Sequence, residues 1–207
     1  MIKKGADYND TPAFGQSDFK PLPKGGYICR IIMVEETKSS TNRDMLHIAF
    51  DITEGEYKGY FMNLFNARKK NNTDPLKTVK YPFEGQKWIM LNDYENPTKT
   101  SRQFKGFCTA VEDSGTEIWN LDGTLALDRV KDAEVGVVFQ DVESEYNGKT
   151  SWRAIPWGFR SIESIASGDY FIPDDKPLQT TQNTGFSTYE PQTSADSFNA
   201  AEDDIPF

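Results

Sequence analysis

Met45-Leu46-His47-Ile48-Ala49-Phe50-Asp51-Ile52 alternates without a break. Leu46, Ile48, Phe50 and Ile52 fall on one face; Met45, His47, Ala49 and Asp51 fall on the other. A period of two with one apolar face describes a β-strand half buried in a sheet. Upstream, Tyr27 to Glu35 is rich in β-branched and aromatic residues and reads as the strand before it. Turn chemistry in Lys38-Ser39-Ser40-Thr41-Asn42-Arg43-Asp44 joins the two. Downstream, Glu54-Gly55 turns the chain back, and Lys58 to Phe65 is expected as a third strand, completing a meander. Lys87-Trp88-Ile89-Met90-Leu91 is a further apolar run, strand or buried helix, which periodicity does not decide.

Asn96 to Ser101 signals a helix start, and Phe104, Phe107, Cys108 and Val111 follow at the spacing of one helical face. That helix stops near Asp113-Ser114-Gly115, and a short second one is expected over Leu125 to Val130. Val135 to Val142 reads as a fourth strand, Asn147-Gly148 as a hairpin turn, and Ser151 to Phe159 as the returning fifth strand. Pro156 inside that run indicates an edge position or a bulge. Ser161 to Ile165 reads as a last helical turn. Three strands, a helix and a two-stranded hairpin make a mainly β chain, in the order of an OB-fold-like five-stranded barrel with one helix between strands three and four. A β-sandwich would want more strands. Residues 70–100 form an insertion able to carry strands of its own.

Three regions are expected: a flexible N-terminal arm at 1–20, the OB-like domain at 21–172, and a disordered acidic tail at 173–207. Polar residues with sparse aromatics dominate the tail, too few apolar groups to order it. It carries seven acids and one base, a net of −6, while residues 1–172 carry 22 bases and 25 acids, a net of −3. Cys29 and Cys108 lie far apart and read as buried free thiols. With His47 as the single histidine, no zinc site and no cofactor are expected. The first residues, Met1-Ile2-Lys3-Lys4-Gly5-Ala6-Asp7, have no apolar h-region, and no stretch reaches membrane-spanning length. The expectation is a cytoplasmic chain with no membrane partner.

Between Lys58 and Lys105 ten bases face four acids, a local +6 in an acidic protein. Tyr60, Phe61, Phe65, Tyr81, Trp88 and Tyr94 stand among them. Cations for phosphates interleaved with flat rings for unstacked bases are what sequence-tolerant binding of single-stranded DNA requires. The expected contacts in this stretch are Lys58, Tyr60, Phe61, Arg68, Lys69, Lys70, Lys87 and Trp88. OB-folds also use their first and last hairpin loops, which adds Lys38 and Arg43 from the first and Lys149, Trp152 and Arg153 from the last. A small barrel also needs large side chains inside, so Phe61, Phe65, Trp88 and Trp157 are candidates for its core as well. Arg68, Lys69 and Lys70 could equally be a solvated loop.

The chain closes on Glu202-Asp203-Asp204-Ile205-Pro206-Phe207, acids running into a stiff apolar plug whose last residue also carries the free carboxylate. Capture by a partner with a basic rim and a pocket for Phe207 is the expected role of Asp203, Asp204, Ile205, Pro206 and Phe207. This ending resembles the C-terminal tip of bacterial single-stranded-DNA-binding proteins, which recruits replication and repair enzymes. A second likeness covers roughly residues 20–165. Leu22-Pro23-Lys24-Gly25-Gly26-Tyr27, Glu54-Gly55-Glu56-Tyr57-Lys58-Gly59 and Tyr146-Asn147-Gly148-Lys149 resemble a family of small phage proteins encoded near replication and recombination functions, several of them regarded as single-stranded-DNA-binding proteins. Together the likenesses imply a phage-type DNA-binding protein that recruits replication, recombination or repair enzymes in the host cytoplasm. An enzyme is disfavoured, because the carboxylate pairs Asp44/Asp51 and Glu54/Glu56 sit at turns or alternate across a strand, and no phosphate loop or nucleophile elbow is present. The alternative is an adaptor or inhibitor that mimics the host protein's tail without binding DNA.

Overall fold

The computed structural model describes residues 20–74, 76–146 and 148–178. The N-terminal arm, apart from Lys20, and the tail beyond Leu178, with Asp203 to Phe207, lie outside the described residues. Five strands, β1 (Gly25–Lys38), β2 (Asp44–Ile52), β3 (Gln86–Met90), β4 (Glu134–Tyr146) and β5 (Lys149–Arg160), form one antiparallel sheet in the order β3-β2-β1-β4-β5. The helices are α1 (Tyr60–Asn71), α2 (Arg102–Asp113), α3 (Leu127–Val130) and α4 (Ile162–Ser167).

The alternation in β2 holds: Leu46, Ile48, Phe50 and Ile52 are all buried. They meet Cys29 and Ile31 of β1, Val135, Val137 and Phe139 of β4 and Phe159 of β5 in one core. Met45 and Ala49 on the opposite face are buried too, so β2 is covered on both sides rather than one. Helix α2 lies where its spacing predicts, with Phe107, Cys108 and Val111 buried and Phe104 packed beside them. Ser101 caps it, its Oγ accepting the Phe104 N–H at 3.0 Å while its hydroxyl donates to the Met90 carbonyl.

The expected third strand over Lys58 to Phe65 is instead the start of α1, and the undecided run at 87–91 supplies β3. Gly59 takes φ +72°, a left-handed conformation that redirects the chain into a helix. Asp51, at the end of β2, then caps α1 from a distance. Its Oδ1 accepts the Phe61 N–H at 2.9 Å and its Oδ2 the Met62 N–H at 3.3 Å. Burial raises the pKa of this carboxyl and outweighs the backbone hydrogen bonds that lower it. Phe61 is fully buried against Phe50 and Phe139.

Among the described residues β3 and β5 share no backbone pairing, so the sheet is not a closed barrel. Its two edges nevertheless approach each other. Lys87 shares the inward register of Ile48 and Ile89, and its ammonium donates to the Pro156 carbonyl of β5 at 2.9 Å. Bulges at Ile31/Met33 on β1 and at Val138/Phe139 opposite Pro156 bend the sheet and bring those edges round. Pro156 therefore sits both on an edge strand and at a bulge.

The chain after α4 is strapped to the sheet rather than leaving it at residue 173. A Cβ on Gly136 would lie 2.4 Å from Ile165 Cγ1, so only glycine lets α4 sit this close to β4. The Tyr170 hydroxyl accepts the Gly26 N–H at 3.0 Å. Beyond Phe139, where β1 no longer flanks β4, residues 174–178 take its place: Lys176 bridges Val142, and Leu178 N–H donates to Glu143 at 3.1 Å. Lys24 and Asp175 pair beside them.

Candidate nucleic-acid interface

Helix α1 carries Arg68, Lys69 and Lys70 in its last turn, all exposed and placed where cations complement the helix dipole. Asn72 folds the next loop back by donating to the Lys77 carbonyl at 2.8 Å, so Lys77 joins the same end. Lys69 lies over the Phe65 ring, and Phe65 packs on Tyr81 with centroids 5.5 Å apart. From Tyr81 the chain passes through a 3-10 turn at Phe83–Gly85 into β3. Phe83, 37% exposed, stacks on Trp88, and Trp88 stacks on His47 at 4.4 Å and 5°.

Trp88 is thereby held in a built stack. Gln86 donates its amide to the Tyr81 and Pro82 carbonyls, which turns its Oε1 toward His47 Nε2 at 2.7 Å. The other imidazole nitrogen faces the Glu35 carboxylate at 2.9 Å. Both ring nitrogens thus face a side-chain oxygen, which fixes the plane of the imidazole under Trp88.

The β4–β5 hairpin supplies a second group. Lys149 and Arg153 are exposed, and Trp152 is 48% exposed at a position past the end of the core. Arg153 pairs with Glu84 at 3.2 Å, and Glu84 follows Phe83 directly. The hairpin group, the Phe83–Trp88 stack and the basic end of α1 are thus connected through Tyr81 to Glu84.

Lys38 and Arg43 lie at the other end of β2 and β3. Lys38 pairs with Asp44 at 2.6 Å; Arg43 donates to the Asp93 carbonyl at 2.6 Å and lies over the Tyr94 ring at 4.8 Å. Lys58 is exposed beside a shallow groove lined with Arg30, Glu54 and Glu134.

Three expected contacts have structural duties instead. Phe61 is core. Tyr60 is half-buried, its hydroxyl accepting the Leu22 N–H at 2.9 Å. Lys87 belongs to the seam, where desolvation lowers its pKa to about 8. Phe83 was missed by sequence reasoning; its place in a Pro-Phe-Glu-Gly turn just before an apolar run is the signal that could have found it. The exposed ring of Trp157, expected as core, lies outside it, with Arg160 over one side and Phe171 at its edge.

No described helix is long and apolar enough to cross a membrane. No protein-family model matches the chain, and no curated protein matches its sequence.

Proposed function

We propose that this protein binds single-stranded DNA with little sequence preference, and that its acidic C-terminal tip recruits enzymes of replication, recombination or repair. The observation that carries the reading is Trp152. It is a large ring held half in solvent on a hairpin that extends past the core, with the bases Lys149 and Arg153 on the other face of the same strand and Arg153 tied through Glu84 to the aromatic stack. Neither packing nor solubility calls for that combination, whereas a strand of unstacked bases and phosphates does. The strand order and the position of α2 between β3 and β4 support an OB-like barrel whose β3–β5 seam is closed by side chains rather than by backbone pairing. Arg68, Lys70 and Lys149 have no ion-pair partner among the described residues and are free to meet phosphates. Asp203 to Phe207 carry the recruitment half of the reading through their likeness to the bacterial tip.

The test is titration with a fluorescent thymidine oligomer against its duplex. Single strands should bind more tightly, with affinity falling steeply as salt rises. Trp152→Ala should weaken binding by about 1–3 kcal/mol while leaving the melting temperature near wild type. Equal affinity for duplex, or no binding at low salt, overturns the reading.

A further inference from the structure

Arg43 and Tyr94 border a second site at the far end of β2 and β3. A cavity of about 210 Å³ lies there, lined by Asn42, Arg43, Asp44, Asn92 and Pro97. It is smaller than the roughly 300 Å³ at which pockets begin to enclose drug-sized ligands, and suits one planar group. Tyr94 stands beside it, 78% exposed. The loop that presents Tyr94 is braced from within. Asp93 Oδ1 accepts the N–H groups of Glu95 and Asn96, each at 3.0 Å. The Asp93 N–H donates to the Lys99 carbonyl at 2.8 Å, and Asn92 bridges Thr100. Arg43, which lines the cavity, lies over the ring at 4.8 Å. The loop is thus braced through its backbone, while the Tyr94 ring stays open to solvent on a scaffold preorganised for a ligand.

The rim has complementary chemistry. The amides of Asn42 and Asn92 have no hydrogen-bond partner among the described residues, and each offers a donor and an acceptor. Asp44 is already neutralised by Lys38. A guanidinium plane backed by an aromatic ring and flanked by two amides matches the face and edge of a nucleobase. We infer that this cavity takes one unpaired nucleobase of the bound strand, stacked against the Arg43 guanidinium that Tyr94 backs, with its edge toward Asn42 and Asn92. The strand then runs along β2 and β3 from this pocket to the Phe83–Trp88 stack. Four strand steps separate Met90 from Gln86, about 13 Å at ~3.3 Å each.

This inference rests on the DNA-binding reading, and its test separates the two. Oligomers carrying 5-iododeoxyuridine are photocrosslinked to the full-length protein and the crosslinked peptide mapped, alongside affinities of variants by fluorescence anisotropy. Crosslinks should fall on Tyr94. Tyr94→Ala should weaken binding about tenfold, and Tyr94→Phe, which keeps the ring, should match wild type. Asn42 holds φ +62°, so its amide is best removed as Asn42→Gly, which keeps that backbone. Combined with Asn92→Ala it should cost about fivefold, the scale of one net hydrogen bond. If wild type binds DNA but crosslinks map only elsewhere, or Tyr94→Ala binds equally well, the pocket assignment falls and the DNA-binding reading stands. If wild type binds no single strand, both fall.

Discussion

Lys87 holds an inward position on β3 with its ammonium against the Pro156 carbonyl, and burial there favours the neutral amine. In the unfolded chain the same amine titrates near 10.5, against about 8 when folded. Between those values the unfolded chain binds more protons. On this residue's account, stability is therefore lowest below pH 8 and rises as pH climbs toward 10.5. Urea denaturation at pH 7 and pH 10 should show wild type gaining up to about 3 kcal/mol on Lys87→Met over that interval. An identical difference at both pH values would mean the ammonium is fully hydrated. As one of ten bases in a short stretch, Lys87 reads as a phosphate contact. Periodicity in Lys87-Trp88-Ile89-Met90-Leu91 does not separate strand from helix, and the inward place of Lys87 depends on its pairing with Ile48, a register that no local signal states.

At the scale of elements, α1 is where local and tertiary preferences part. Tyr60-Phe61-Met62-Asn63-Leu64-Phe65 is aromatic and apolar enough for a strand, and only Phe61 of the helix is buried. What selects the helix is the left-handed turn at Gly59 together with Asp51, a residue ten positions before Phe61 that satisfies two of the first backbone N–H groups. Asp51→Ala should cost about 1–2 kcal/mol. Hydrogen exchange should locate the loss, with the amides of Phe61 and Met62 losing protection before those of β2. Uniform loss across the sheet would show that Asp51 supports β2 rather than the helix start. By contrast, β2, α2 and the β4–β5 hairpin were legible, because alternation, one-faced spacing and an Asn-Gly turn each act locally.

Across the whole molecule, the sheet order keeps β3 and β5 at opposite edges while its curvature brings them within reach of Lys87 and of the Arg153–Glu84 pair. That curvature also assembles the candidate interface. Lys149, Trp152 and Arg153 were recognisable from the hairpin turn, and Arg68 to Lys70 from charge alone. Their connection through Tyr81 to Glu84 was not, since it depends on a contact between residues 69 positions apart. The same holds for the pocket beside Tyr94, whose walls come from the turn before β2 and the loop after β3.

The two cysteines carry a consequence of a different kind. Cys29 and Cys108 are both buried, and burial raises both thiols well above their ordinary range, Cys108 to about 12. Only the thiolate reacts with alkylating reagents, so the folded chain is a closed vessel to them and the labelling rate becomes a clock for opening. The two clocks run at different speeds. Cys29 is flanked by Ile52 of β2 and Val135 of β4 and is released only when the sheet parts; Cys108 is released when α2 alone lifts away. Timed iodoacetamide labelling read by mass spectrometry should find Cys108 modified well before Cys29, and equal rates would mean that the helix and the sheet come apart together.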